Sequence, residues 1–568
     1  MAITACQPTP TGGGASATPS AAAATRGAGG TLKLLWWQAP TILNAHQSGG
    51  QKDADAAALV NEPLAAWGPD VKPVPRLAAE IPTIENGGVS KDFTTITWKL
   101  KPGLKWSDGT DFTADDVVFT YGVISDPKAA ATTSDYTEGV AKVEAKDKNT
   151  VVVTYASPNP NFYQLFVGST VSQILQKAQF KDWTGEKFKD APGNQKPIGT
   201  GPYKVKEFKS GDVVVYEMNE NYRDADKPYF KEVNLKGGGE AESAARAVFQ
   251  TGDVDFAWNM QVNAPVLKQI MQGGKADLLL ADGPDVERLV INFTDPSKDV
   301  NGERSEKSTK HPFLSDLKVR TALAMATDRK TMATQLYGDG LTGQATCNII
   351  EGIPAVKSPN TASMDVCKFD VAGANKLLDD AGWVKGSDGF RSKGGVKMKV
   401  LYQTTVSALR QDEQAIVKKN WESIGVQVEL KSVPGGTFFA SGTSPDDYSH
   451  FYADIQMYTS GTDPDPTPFF GQWSTKQIAQ KSNGWKSSNN GRYSNPEYDT
   501  LLESLQKEAD VAKRKDLIIK MNDLLIKDVA IIPLINRKPV PSGSSKTLKG
   551  PQANGWDTQV WNIADWRR

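Results

Sequence analysis

The stretch Trp98-Lys-Leu-Lys-Pro-Gly-Leu-Lys-Trp-Ser-Asp-Gly-Thr-Asp-Phe-Thr-Ala-Asp-Asp-Val-Val-Phe-Thr-Tyr121 leaves its backbone few choices. Ile96, Trp98 and Leu100 alternate with Thr97, Lys99 and Lys101, the period of a strand with one buried face. Pro102-Gly103 and Asp108-Gly109 are turn dipeptides, so two short extended pieces are predicted to fold back on each other. Thr113 with Asp116 three residues on forms a capping box with Asp in place of Glu, and Val117, Val118 and Tyr121 supply the buried stripe of the helix that follows. Nothing in the run is chemically reactive.

Elsewhere strands alternate with amphipathic helices. Ala408–Ile424, with Ile416, Trp421 and Ile424 on one face, precedes the strand Val426–Leu430, which is an α/β reading. At 568 residues the chain exceeds what one core supports, so two or three lobes are expected. Its 65 basic and 66 acidic residues are interspersed and leave a net charge of −1, which excludes the clustered basic footprint of a nucleic-acid binder. No internal repeat is present.

Further segments recur in a fixed order: Leu59-Val-Asn-Glu-Pro-Leu64, Pro73-Val-Pro-Arg-Leu-Ala78, Pro197-Ile-Gly-Thr-Gly-Pro-Tyr203, Asn221-Tyr222 and Ala244–Asp255. Pro312-Phe313, Val319–Arg329, Asp370–Gly382, Gly425-Val-Gln-Val428, Asn495–Leu502 and Ile532-Pro-Leu534 close the series. Over residues 31–568 this series resembles family 5 of the extracellular solute-binding proteins of ABC importers, the dipeptide, oligopeptide and nickel class. The resemblance implies a periplasmic-binding-protein-like type II α/β fold with two main lobes, a hinge and an extra inserted lobe. Lobe I is then expected at 31–61, 195–292 and 536–568, lobe II at 62–194 and lobe III at 293–535, with crossings near Phe293 and Asn536. It also implies a monomeric binding protein, not an enzyme, that hands a small solute to an ABC permease without a cofactor.

Residues 7–30 are rich in Ala, Gly, Thr, Ser and Pro and read, with the residues before them, as a flexible tether over 1–30. Ile3-Thr-Ala-Cys6 resembles the end of a bacterial lipoprotein signal whose upstream part is missing, so Cys6 is the expected lipidation site and the protein is expected outside the cytoplasm, periplasmic or on the outer face of the membrane. The lipid would be its sole hold on the membrane, since no run of about 20 apolar residues follows. Cys347 and Cys367 remain as a pair; a disulfide there would contribute about 3 kcal/mol, the alternative being two reduced thiols in a loop.

Catalytic patterns are few. His46, His311 and His450 lie far apart in sequence and read as surface or packing residues, so no metal site is expected. Gly338-Asp-Gly-Leu-Thr-Gly343 matches a dinucleotide fingerprint only formally, because it follows a helix instead of a strand. A carboxylate-dependent hydrolase is the distant alternative.

A ligand cleft needs apolar faces with a few fixed polar groups, and four predicted strand ends offer both. They bring Trp36, Trp37 and Gln38; Trp258 and Asn259; Gln403 and Thr404; and Thr462, Asp463 and Asp465. One of Trp36 and Trp37 should pack inward, because adjacent strand residues point to opposite faces. In the peptide-binding members that this stretch resembles, the carboxylate for the ligand's amine lies four positions before a proline. Counted from Pro466 that position is Thr462, with Asp463 one step away, which keeps an oligosaccharide open as the alternative ligand.

Overall fold

The computed structural model describes residues 25–568 apart from 441, 443, 539 and 540; Cys6 lies outside the described residues. Seven strands form one sheet in the order Ala276–Leu279, Ser542–Ser545, Phe256–Trp258, Thr31–Trp36, Glu232–Gly237, Val213–Met218 and Tyr203–Lys209. Six form another, in the order Gly343–Ala345, Ile531–Arg537, Val286–Ile291, Ile455–Ser460, Lys399–Thr405 and Gln427–Val433. Each sheet carries its own apolar core, and a third core sits on the three-stranded sheet of Thr95–Lys99, Val140–Asp147 and Thr150–Tyr155 in the inserted region. The α/β reading and the multi-lobe architecture therefore stand.

The chain passes between the two large sheets through 280–285 and again between Arg537 and Ser542. The first crossing thus comes earlier than the expected position near Phe293. Val286–Ile291 pairs antiparallel with both Ile455–Ser460 and Ile531–Arg537, so it belongs to the six-stranded sheet and not to the segment expected to run to 292.

The Trp98–Tyr121 run folds from its local chemistry with one difference. Ile96, Trp98 and Leu100 are buried, and Thr113 and Asp116 form both bonds of the capping box ahead of helix Ala114–Ile124. Lys105 and Asp111 bridge across the Asp108-Gly109 turn. The strand Thr95–Lys99, however, takes Thr150–Tyr155 as its antiparallel partner and not the next extended piece. The expected tether also ends sooner, because Gly27 N–H donates to Pro228 O at 3.0 Å and Gly29 N–H to Tyr229 O at 2.9 Å. Cys347 and Cys367 are joined in a disulfide, with their Cα atoms 5.7 Å apart.

The Pro197–Tyr203 signature has a steric cause. It re-enters the seven-stranded lobe against Leu59 and Val60, where Gly201 N–H donates to Val60 O at 2.7 Å. A Cβ on Gly199 would stand 1.9 Å from Val60 O, a backbone atom that cannot swing aside. Gly199→Ala is therefore expected to lower stability by about 1–3 kcal/mol or to prevent folding. A melting temperature equal to wild type would show that this approach is not tight.

Candidate functional site

The parallel strands Thr31–Trp36 and Phe256–Trp258 end on the same side of the seven-stranded sheet, and Lys399–Thr405 and Ile455–Ser460 likewise run parallel in the other sheet. Crevices beyond the carboxyl ends of such strands are where open α/β sheets place ligands. A cavity of about 340 Å³ occupies that position, walled by residues of both sheets and by the 132–136 and 170–171 segments of the inserted region.

Five of the expected residues line this cavity: Gln38, Trp258, Asn259, Thr462 and Asp463. The structure does not bring the other five to it. Trp36 is wholly buried, stacked on Trp258 with ring centroids 5.1 Å apart, because it sits on the core face of its strand. Trp37, on the opposite face, donates its indole N–H to Asn259 O at 2.6 Å and borders a separate cavity of about 390 Å³. Gln403 and Thr404 lie inside Lys399–Thr405, which is flanked by strands on both sides, and donate to Asp446 O and Met457 O. Asp465 turns away to pair with Arg514 at 2.5 Å and to accept from Thr467 N–H.

Trp258 presents little ring to the cavity. It is 1% exposed, and its indole N–H donates to Asp55 Oδ2 at 2.8 Å. Burial pushes the Asp55 carboxyl up to about 7, against the stabilising bonds from Trp258 and Gln51. Asn259 follows in the left-handed region, φ 46°, a conformation Asn tolerates better than most side chains.

Among the described residues the Asp463 carboxylate receives one hydrogen bond, from Tyr136 Oη of the inserted region at 2.7 Å. Desolvation pushes its pKa up to about 6, with Asp557 and Asp465 adding to the rise. Asp557 and Asp285 also line the cavity. Asp557 Oδ2 accepts from the Trp67 and Ser169 amides at 2.8 and 3.2 Å. Asp285 fits because Gly461 has no side chain; a Cβ there would lie 2.5 Å from Asp285 Oδ1.

Arg410 and Arg537 line the same cavity, and the Arg537 backbone N–H donates to Asp285 O at 2.9 Å. Arg410 Nε donates to Glu287 Oε1 at 2.9 Å, and Arg537 Nη1 donates to Thr459 Oγ1 at 2.6 Å while standing 3.6 Å from Glu287. Tyr136, Asp285, Asp557, Arg410 and Arg537 were not anticipated from sequence; they come from five separate segments that no local pattern links. The three histidines are all buried, so packing and not surface placement holds for each: His46 bonds Thr133 and Gln173, His311 bonds Asp454, and His450 bonds Asp447. Among the described residues no group of three or more His, Cys, Asp or Glu could hold a metal ion.

The model of the bacterial extracellular solute-binding proteins, family 5, matches residues 22–481. The chain belongs to this family. The oligopeptide-binding protein AppA of Bacillus subtilis is 27% identical over 489 residues, 85% of this chain and 81% of AppA. The periplasmic oligopeptide-binding protein OppA of Salmonella typhimurium is 27% identical over 469 residues, 78% of this chain and 77% of OppA. The solved structure of Bacillus subtilis AppA with a nonapeptide superposes with a TM-score of 0.79 at 22% identity, covering 95% of this chain and 99% of that one. These relatives are binding proteins and not enzymes, and among the described residues no helix is long and apolar enough to cross a membrane.

In this family 5 protein, Asp55 also makes stability depend on pH. Its folded pKa, about 7, lies above the unfolded value, so the folded state holds the extra proton between roughly pH 4 and 7 and stability falls as pH rises through that window. Asp55→Asn keeps an acceptor for Trp258 without the charge. The variant should gain on wild type from pH 4 to pH 8, by about 2–4 kcal/mol at the upper end. His46, held neutral by burial with its pKa lowered to about 4, works in the opposite sense in both proteins and cancels in the difference. Parallel melting curves for the two proteins across this range would refute the assignment.

Proposed function

We propose that this protein is the solute-binding component of an ABC importer that captures a peptide or peptide-like solute between its lobes and delivers it to a membrane permease. The carrying observation is Asp463: a carboxylate on the cavity wall whose single hydrogen bond among the described residues comes from Tyr136 of the inserted region, placed to receive a ligand ammonium group. Family membership and the oligopeptide-binding relatives support the same reading. An oligosaccharide would call for exposed aromatic faces; Trp258 is stacked and bonded away from the cavity, and Tyr136, Phe439, Tyr448 and Trp556 are the aromatics that remain on its wall.

Residues from both sheets wall the cavity, so ligand contacts bias the equilibrium between separated and closed lobes, and the closed form is what a permease would read. Export, a monomeric state and a lipid at Cys6 belong to this proposal; transfer of a Cys6→Ser variant from the detergent to the aqueous phase tests the last of these. For the binding reading, Asp463→Asn is expected to weaken peptide affinity more than tenfold, because a buried unpaired ammonium costs about 2–5 kcal/mol. Calorimetry with a pool of short peptides checks it. A change below about twofold would place the ligand amine elsewhere, and failure of every peptide to bind would overturn the peptide reading.

A further inference from the structure

The charges around the cavity do not balance. Asp285, Asp463 and Asp557 line it, each from a different stretch of chain, against two lining cations, Arg410 and Arg537. Both guanidiniums are already engaged by Glu287, which contacts Arg410 at 2.9 Å and Arg537 at 3.6 Å and is itself 1% exposed. Arg410 is further occupied by Thr405 Oγ1 at 2.6 Å. With Glu287 included, the wall carries more negative than positive charge; among the described residues no cation stands within salt-bridge distance of the three lining aspartates, and only Asp285 has the charge of Arg537 acting on it. Asp463 and Asp557 each raise the other's cost of ionising, and a cation brought between them relieves both.

A second observation points to a ligand. Gln261 is 6% exposed and stands between this cavity and the one beside Trp37, and its Nε2 donates to Asn259 Oδ1 at 3.3 Å, which fixes the amide and leaves Oε1 as an acceptor without a donor among the described residues. Such a buried acceptor calls for an N–H or O–H from the occupant. Arg537 Nε is the complementary unpartnered donor and provides for one carbonyl or carboxylate oxygen. The wall thus asks for several donor groups and about one acceptor group.

We propose that the solute is a small cation: a short peptide or peptide-like molecule with at least one more ammonium or guanidinium group than carboxylates. One cationic group lies at Asp463, a second near Asp285 or Asp557, and the single anionic end faces Arg537. A volume of about 340 Å³ suits a solute of two or three residues. This rests on the reading of the same cavity as the peptide site and adds the charge class to it.

The test is calorimetry of the intact protein with lysyl-lysine, alanyl-alanine, glutamyl-glutamate and sucrose at low salt. Lysyl-lysine is expected to bind more than about tenfold tighter than alanyl-alanine, with no measurable heat from glutamyl-glutamate, and the gap should narrow as salt screens the site. Of Asp285→Asn and Asp557→Asn, which keep size and hydrogen bonding, at least one should reduce the preference for lysyl-lysine to about threefold or less; a preference unchanged in both overturns the placement of the second cationic group. Equal or tighter binding of alanyl-alanine or glutamyl-glutamate overturns the charge class and leaves the peptide site standing. Binding of sucrose with no dipeptide overturns the underlying reading, and failure of lysyl-lysine to bind overturns the proposal whatever else binds.

Discussion

Glu287→Ala is expected to cost about 3–5 kcal/mol of stability, because it removes the anion that two buried guanidiniums share and leaves their charge uncompensated. Arg410 and Arg537 are 3% and 5% exposed, so neither can turn out to water without moving the helix Ala408–Ser423 or the strand Ile531–Arg537 that carries it. One partner is in reserve. Glu413 stands in the same network with its pKa pushed up to about 8, by burial first and by Glu287 second, and Tyr337 Oη donates to it at 2.6 Å. It is therefore protonated at neutral pH, and loss of Glu287 would draw its proton off and recruit it as a substitute anion. The double variant Glu287→Ala, Glu413→Gln should then cost more than the two single changes added together. Chemical denaturation of the four proteins at pH 7 measures this coupling. Strict additivity would mean that Glu413 does not respond to the guanidiniums.

That network lies where sequence reading reaches least. Glu287 and Arg410 are 123 positions apart, and Arg537 arrives on the last strand of the six-stranded sheet, so their meeting depends on strand order and not on spacing. Local features fared differently. The Thr113–Asp116 capping box is legible because both of its bonds span three residues, and the strand ends at Gln38, Asn259 and Asp463 are legible because parallel strands deliver their carboxyl ends to one crevice. Gln403 and Thr404 mark the limit of that argument. They precede the strand end at Thr405 by two residues and one, and the neighbouring strands enclose them before the cavity begins. Asp465 fails for a different reason: Arg514, 49 positions away, draws its carboxylate outward. Tyr136, from the inserted region, could be assigned only once the contact between that region and the 461–463 loop was known.

Trp258 separates a structural from a recognitive use of aromatic surface. Trp258→Ala is expected to destabilise the protein by about 3–5 kcal/mol, the cost of emptying a fully packed tryptophan site. The ring is stacked on Trp36 at an interplanar angle of 21°, and its N–H is the strongest of the bonds that stabilise the buried Asp55 carboxylate. Without the indole, Asp55 keeps Gln51 Nε2 at 2.5 Å and the more distant Gln559 amide at 3.4 Å, so its proton should be held still more tightly. Trp258→Phe keeps most of the stack and loses only the N–H, which leaves an expected cost of about 1–3 kcal/mol. Thermal unfolding of both variants, with calorimetry at a temperature where each remains folded, divides the two roles. A structural ring gives a large fall in melting temperature for Trp258→Ala and peptide affinity within a few-fold of wild type. An unchanged melting temperature with collapsed affinity would instead make the ring a ligand platform, and would return an oligosaccharide to consideration because a sugar is held mainly by such faces.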